Sequence, residues 1–126
     1  MDPWVDGIRA ITLFVEDPAE TKRCYGEVFG LQVMHEDGDS VVFDFGNTLV
    51  NLLKSEAAVE LVEPAKVGEP GAVRAEFTIE VDDVDALCDE LRAHGVELPN
   101  GPMDRPWGLR TASFRDPGGH VWEIAH

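Results

Sequence analysis

The chain repeats itself, and the repeat limits what it can fold into. "TLFVEDPAETKRCYGEVFGLQV" (12–33) and "TIEVDDVDALCDELRAHGVEL" (78–98) share one outline. Each has an alternating strand that ends in an acidic pair, a helix of about three turns, a glycine and then a second strand. Asp17 matches Asp83 at an offset of 66, and Gly30 matches Gly95 at an offset of 65, so one residue is lost within the helix. Asp17 and Asp83 fall where N-caps belong, with Pro18 at a first-turn position where its missing N–H costs nothing. Gly30 and Gly95 fall where a left-handed C-terminal cap belongs.

The second parts of the two halves also correspond. "SVVFDFGNTLVNLL" (40–53) reads as a hairpin turning at Gly46-Asn47, and "TASFRDPGGHVWEI" (111–124) as one turning at Gly118-Gly119. Aligning Gly46 with Gly118 gives an offset of 72 and pairs Asn51 with Glu123. The unit is therefore strand–helix–strand–strand–strand, used twice. We expect an α+β chain forming a single domain of two βαβββ modules, about 8–54 and 73–126, joined by a 55–72 linker that contains Pro64 and Pro70. Residues 99–108, "PNGPMDRPWG", read as irregular because of their prolines and glycines.

In the helix over 84–94, Val84, Leu87, Cys88 and Leu91 make one apolar stripe, while Asp85, Asp89, Glu90 and Arg92 face out. Such a helix covers one face of its own sheet. The other face must bury itself elsewhere or enclose a ligand.

Composition narrows the partners. Ten Lys and Arg against 25 Asp and Glu leave a formal net charge of −15. That disfavours nucleic acid and anionic membranes and permits a cationic ligand. No apolar run approaches the roughly 20 residues of a membrane helix. The N-terminal "MDPWVDGIRA" lacks the basic and apolar regions of a secretory signal. Cys24 and Cys88 form neither a metal spacing nor a disulfide framework. The expected location is cytoplasmic.

With these segments in place, and with "WGLRTASFRDPGGHVWEI" at the end, the chain resembles the vicinal oxygen chelate superfamily. That group includes glyoxalase I, extradiol dioxygenases, fosfomycin resistance enzymes and bleomycin resistance proteins. The resemblance runs from about Ile8 to Ile124 and implies paired βαβββ modules whose sheets curve around a cavity. It also implies a homodimer, in which the modules pair within a chain or are swapped between chains.

In metal-using members the resemblance implies four ligand positions, on the first and last strands of each module. They map here to Ala10, Asn51, Glu76 and Glu123, a register that the offsets of 66 and 72 reproduce independently. Alternation then sets Ile8, Thr12 and Phe14 beside Ala10, Leu49 and Leu53 beside Asn51, Thr78 beside Glu76, and Val121 beside Glu123. Ile11, Leu13, Val15, Phe77, Ile79 and Val81 would pack on the helices. Ala10 cannot coordinate, and no histidine occupies any of the four positions. A metal would have only Glu76, Glu123 and Asn51, an oxygen set that suits Mg²⁺ or Ca²⁺ better than Zn²⁺, Ni²⁺ or Fe²⁺. No cofactor is favoured, with a divalent metal as the alternative.

Two carboxylates sharing one semi-apolar cavity should repel, so at least one pKa should rise. Such a group suits a cation trap, or a general acid or base if the protein is an enzyme. The other reading is that the strands splay and each carboxylate meets water or an arginine such as Arg74 or Arg110. The expected ligand-binding set is Glu76, Glu123, Asn51, Thr12, Phe14, Thr78, Trp107 and Arg110. In the family the segment bearing Trp107 borders the cavity mouth, and bleomycin resistance proteins stack a flat ligand group on aromatics there. The rival reading of Trp107 is a plug over the core edge. Trp122 has the parity of a core residue, and His94 that of a helix C-terminus.

The expected function is metal-independent sequestration of a small, cationic or aromatic organic ligand, resembling the bleomycin resistance proteins. The alternatives are a glyoxalase-type metal-dependent lyase, isomerase or dioxygenase, or a metal-free isomerase with Glu76 or Glu123 as the base.

Overall fold

The computed structural model describes residues 3 to 126. They form two compact units, one up to Val67 and the other from Gly68. The first runs β1 (Ala10–Val15), α1 (Pro18–Glu27), β2 (Val33–Glu36), β3 (Ser40–Asp44), β4 (Leu49–Lys54) and α2 (Ser55–Val62). The second runs β5 (Glu76–Glu80), α3 (Val84–Ala93), β6 (Asn100–Asp104), β7 (Arg110–Arg115) and β8 (Val121–Ala125). Each holds a four-stranded mixed sheet, ordered β1-β4-β3-β2 and β5-β8-β7-β6. The chain is α+β, with two βαβββ modules and no closed barrel. Among the described residues no helix is long and apolar enough to cross a membrane.

The repeat offsets reappear in the strand registers. Ala10 lies opposite Leu49 and Thr12 opposite Asn51 in the parallel pair β1–β4. Glu76 lies opposite Val121 and Thr78 opposite Glu123 in the parallel pair β5–β8. The helices start and stop as their sequences require. Asp17 accepts from the Ala19 and Glu20 N–H groups with Pro18 at the first position, and Asp83 accepts from the Ala86 N–H. α3 ends in a Schellman motif: Gly95 N–H donates to Arg92 O, Val96 N–H donates to Leu91 O, and Gly95 has φ +81°.

In the first unit Leu13, Val15, Val41, Phe43, Val50 and Leu52 are buried, with Tyr25 of α1 fully enclosed. The Tyr25 ring meets Phe29, Phe43 and Phe45 at centroid distances of 5.0, 5.4 and 6.2 Å. In the second, Val84, Cys88 and Leu91 of α3 are buried with Ala112, Phe114, Trp122 and Ile124. Trp122 is thus a core residue. Its indole N–H donates to the buried Asp116 carboxylate at 3.2 Å, and the same carboxylate accepts from the His120 N–H at 3.0 Å. One aspartate therefore ties the β7–β8 turn to the core.

Two segments differ from expectation. Residues 55–62, read as part of the linker, form α2, because Ser-Glu-Ala-Ala-Val-Glu-Leu-Val is rich in helix formers. Ala58 is buried, and Ser55 Oγ donates to Glu16 Oε1 at 2.9 Å. Pro64 marks where the helix must already have ended, not where structure is missing. Residues 100–104, read as irregular, are β6. The strand carries a bulge between Asn100 and Met103, and Gly101 has φ +93° with the Thr111 carbonyl where a Cβ would stand. Glycine here permits a strand to pass close to its neighbour.

Candidate functional site

Strand alternation in the second unit puts Glu76, Thr78, Glu123, Ser113 and Thr111 on one face, opposite Trp122 and Ile124. Glu76 and Thr78 are exposed, and Glu123 is half-buried. Thr78 Oγ1 donates to Glu123 Oε1 at 3.0 Å. The Glu76 carboxyl is held above the ordinary glutamate range. Partial desolvation is the largest cause, followed by the Glu123 charge and a hydrogen bond from the protonated acid to Glu123, while Arg105 pulls the other way. The Glu123 charge thus adds to desolvation in favouring the protonated form of Glu76.

Arg105, absent from the expected set, borders this pair. It opens the β6–β7 turn, where its N–H donates to Leu109 O at 2.7 Å and its C=O accepts from Gly108 N–H at 3.0 Å. Pro106 and Trp107 are the central turn residues, and Gly108 follows with φ +98°, as in a type I turn closed by a glycine bulge. The guanidinium donates from Nε to Thr111 Oγ1 at 2.7 Å and from Nη2 to Asn100 Oδ1 at 2.8 Å. The sequence signal was available, since Arg-Pro-Trp-Gly is a hairpin-turn tetrapeptide. Reading it as irregular hid the strand and with it the arginine.

Arg110 is a correction. Alternation along β7 puts it with Ala112 and Phe114 on the α3 face, away from Glu123. Its guanidinium forks onto Asp85 of α3 at 2.8 and 2.9 Å and reaches Asp104 at 3.1 Å. Its partners raise its pKa further, and it in turn holds Asp85 below the usual carboxylate range. Trp107 does not plug the core edge: it is 67% exposed at the turn tip.

In the first unit, Thr12 and Ala10 are exposed on β1, Phe14 is half-buried, and Asn51 of β4 lies opposite Thr12. Asn51 Oδ1 is buried and, among the described residues, accepts no hydrogen bond.

The donor set does not fit a divalent metal. Among the described residues no three His, Cys, Asp or Glu side chains gather as a metal site needs. Glu76 and Glu123 supply two carboxyl groups on one face, one of them holding its proton more tightly than a free glutamate does.

Residues 7–124 match the family described as the Glyoxalase/Bleomycin resistance protein/Dioxygenase superfamily. The chain belongs to that superfamily. Within it, the uncharacterized protein YraH of Bacillus subtilis (strain 168) is 34% identical over 119 residues, covering 90% of this chain and 93% of YraH. TnmS3, an antibiotic binding protein from Streptomyces sp. CB03234, matches with a TM-score of 0.75 and 25% identity over 98% of this chain and 97% of its own. A lactoylglutathione lyase from Agrobacterium tumefaciens matches with a TM-score of 0.78 and 22% identity over 96% and 93%. One fold thus carries both an antibiotic binding protein and a lactoylglutathione lyase, and only the side chains can divide them.

Proposed function

We propose that the protein binds a small organic ligand without a metal, through the Glu76–Glu123 face of its second module. The observation that carries this reading is the carboxyl pair itself: Glu123 is fixed by Thr78 at 3.0 Å, and Glu76 is pushed toward its protonated form. A cationic or hydrogen-bond-donating group arriving there offsets the desolvation of Glu76 and relieves its repulsion from Glu123. The net charge of −15 draws such a ligand from a distance, and the exposed Trp107 offers an indole for a flat or cationic group. Thr12 and Asn51 hold the equivalent register positions in the first module. The likeness to an antibiotic binding protein supports sequestration as the outcome, and family habit supports a homodimer.

A second reading has an observation of its own. A carboxyl with a raised pKa beside another carboxylate is equipped to move a proton, so a metal-free isomerase-type activity with Glu76 or Glu123 as the base is the alternative.

Both readings are tested by calorimetric titration of phenyltrimethylammonium and related cationic aromatics into wild type, Glu76→Gln and Glu123→Gln. Binding weakened about tenfold or more by either change supports the site. Unchanged affinity in both variants rejects it. Turnover of a bound compound that survives chelator selects the second reading over sequestration.

A further inference from the structure

In a chain with 25 acidic and ten basic residues, a half-buried guanidinium has many carboxylates to choose from. Arg110 takes two of them. Arg105 takes none: among the described residues it forms no ion pair, and its side chain is held by the hydroxyl of Thr111 and the amide oxygen of Asn100. Both acceptors are neutral, so they fix the guanidinium without cancelling its charge. The backbone is fixed as well, at its N–H by Leu109 and at its C=O by Gly108. Thr111 is itself buried at 1% exposure, which leaves the anchor little freedom.

A guanidinium carries five N–H donors, and two are used here. Three remain on a pre-positioned, planar group, the geometry that recognises carboxylate and phosphate oxygens. Thr111 shares its face with Ser113, and Ser113 lies directly across from Glu123, so the anchor of Arg105 belongs to the same face as the carboxyl pair. An attraction from Arg105 that lowers the Glu76 pKa is consistent with this shared face.

We propose that Arg105 is an oxyanion-binding residue, and that the ligand of this face carries a carboxylate or phosphate group beside the cationic or donor group accepted by Glu76 and Glu123. The inference rests on the reading of that face as a ligand site and names the class of ligand: an amphoteric small molecule rather than a simple cation. Asn100 and Thr111 are positioning residues that aim the fork.

The test follows the arginine side-chain Nε–H signals by NMR in the full chain while benzoate, inorganic phosphate or phenyltrimethylammonium is added. The Arg105 signal is identified by its absence from Arg105→Lys. A saturable shift of the Arg105 signal by benzoate or phosphate, with the Arg110 signal unmoved, is expected. Arg105→Gln should weaken anion binding about tenfold, as loss of one charge-assisted contact does. No Arg105 shift from either anion, or an equal shift of all arginines, overturns the proposal. Because the charge-conserving Arg105→Lys suffices to identify the signal and the wild-type titration then reads the shift, an Arg105→Gln variant that fails to fold does not obscure the result. If phenyltrimethylammonium still binds while the anions do not, the oxyanion site is rejected and the cation reading stands. If the anions bind and the cation does not, the reverse holds. Silence from all three removes both.

Discussion

Thr78 and Glu123 are directly opposed on the parallel strands β5 and β8, and the threonine hydroxyl donates to the glutamate Oε1 at 3.0 Å. The equivalent pair in the first module is Thr12 and Asn51, where the acceptor is an amide and its oxygen is buried without a partner among the described residues. The repeat thus preserves the position and changes the charge. Thr78→Val keeps the shape of the side chain and removes the donor, leaving Glu123 free to rotate out of the pair. We expect it to weaken phenyltrimethylammonium binding by about tenfold, from loss of a hydrogen bond to a charged group that fixes the site. The change in Tm should be small, because Thr78 is exposed. Calorimetry and a thermal melt on the same sample separate the two effects, and an unchanged affinity refutes the positioning role.

Glu76 predicts a pH dependence with a definite sign. Its pKa in the folded chain lies above that of an unfolded glutamate, so the folded state binds the proton more tightly. Its contribution to stability is fully present below the unfolded value of about 4.3 and is lost as pH rises through the folded value. Glu76→Gln should therefore raise Tm at neutral pH, and the gain should shrink to nothing as pH falls toward about 4. The carboxyl remains wetted, so the effect is modest. Melts of both proteins from acid to neutral pH check it, and a gain that grows on acidification contradicts the assigned cause.

Gly101 sets the path of β6 and so the place of Asn100, which holds Arg105. Any side chain there meets the Thr111 carbonyl and must also adopt φ +93°. Gly101→Ala should lower stability by about 1–3 kcal/mol. It should also loosen the Arg105 side chain, seen as line broadening of its Nε–H signal. A variant as stable as wild type would show that β6 can shift away at no cost.

Much of this architecture was legible in the residues because the repeat supplied two independent readings of each element. Asp17 and Asp83 announced the helix starts, and the offsets of 66 and 72 fixed registers that the sheets reproduce. Glu76, Thr78 and Glu123 could be assigned to one face by alternation alone. Arg110 went wrong by one residue of parity: it points to α3, where Asp85 awaits it. Arg105 was lost because a strand containing Asn-Gly-Pro does not look like one. Only the close packing against β7 that Gly101 permits makes it a strand. Local propensity cannot report a contact made across the sheet.

Asp116 offers a test of the module core. It is 4% exposed and accepts from the Trp122 indole and the His120 backbone. Asp116→Ala strands a buried indole N–H and should cost about 2–3 kcal/mol, or a Tm fall of roughly 10 °C. Asp116→Asn retains an acceptor and should lose about half as much. Near-ultraviolet circular dichroism follows Trp122 directly, and equal losses in the two variants would point to the carboxylate charge, which both remove, rather than to the retained acceptor.

The carboxyl pair also predicts how the protein treats metals. Two carboxyl groups on one face of the second module make a poor cage for a divalent ion, which ordinarily keeps three protein ligands in a catalytic site. Untagged protein purified without chelator and challenged with Mg²⁺, Mn²⁺, Ni²⁺, Zn²⁺ and Fe²⁺ should retain no stoichiometric metal by elemental analysis. Glu76 sharpens the expectation, because a carboxyl that holds its proton more tightly must give it up before it can coordinate. Metal retained at one equivalent and lost in Glu123→Ala would overturn the metal-free reading and redirect the search to glyoxalase-type chemistry. Metal retained equally by Glu123→Ala would place it away from the pair, and the ligand site proposed for this face would stand.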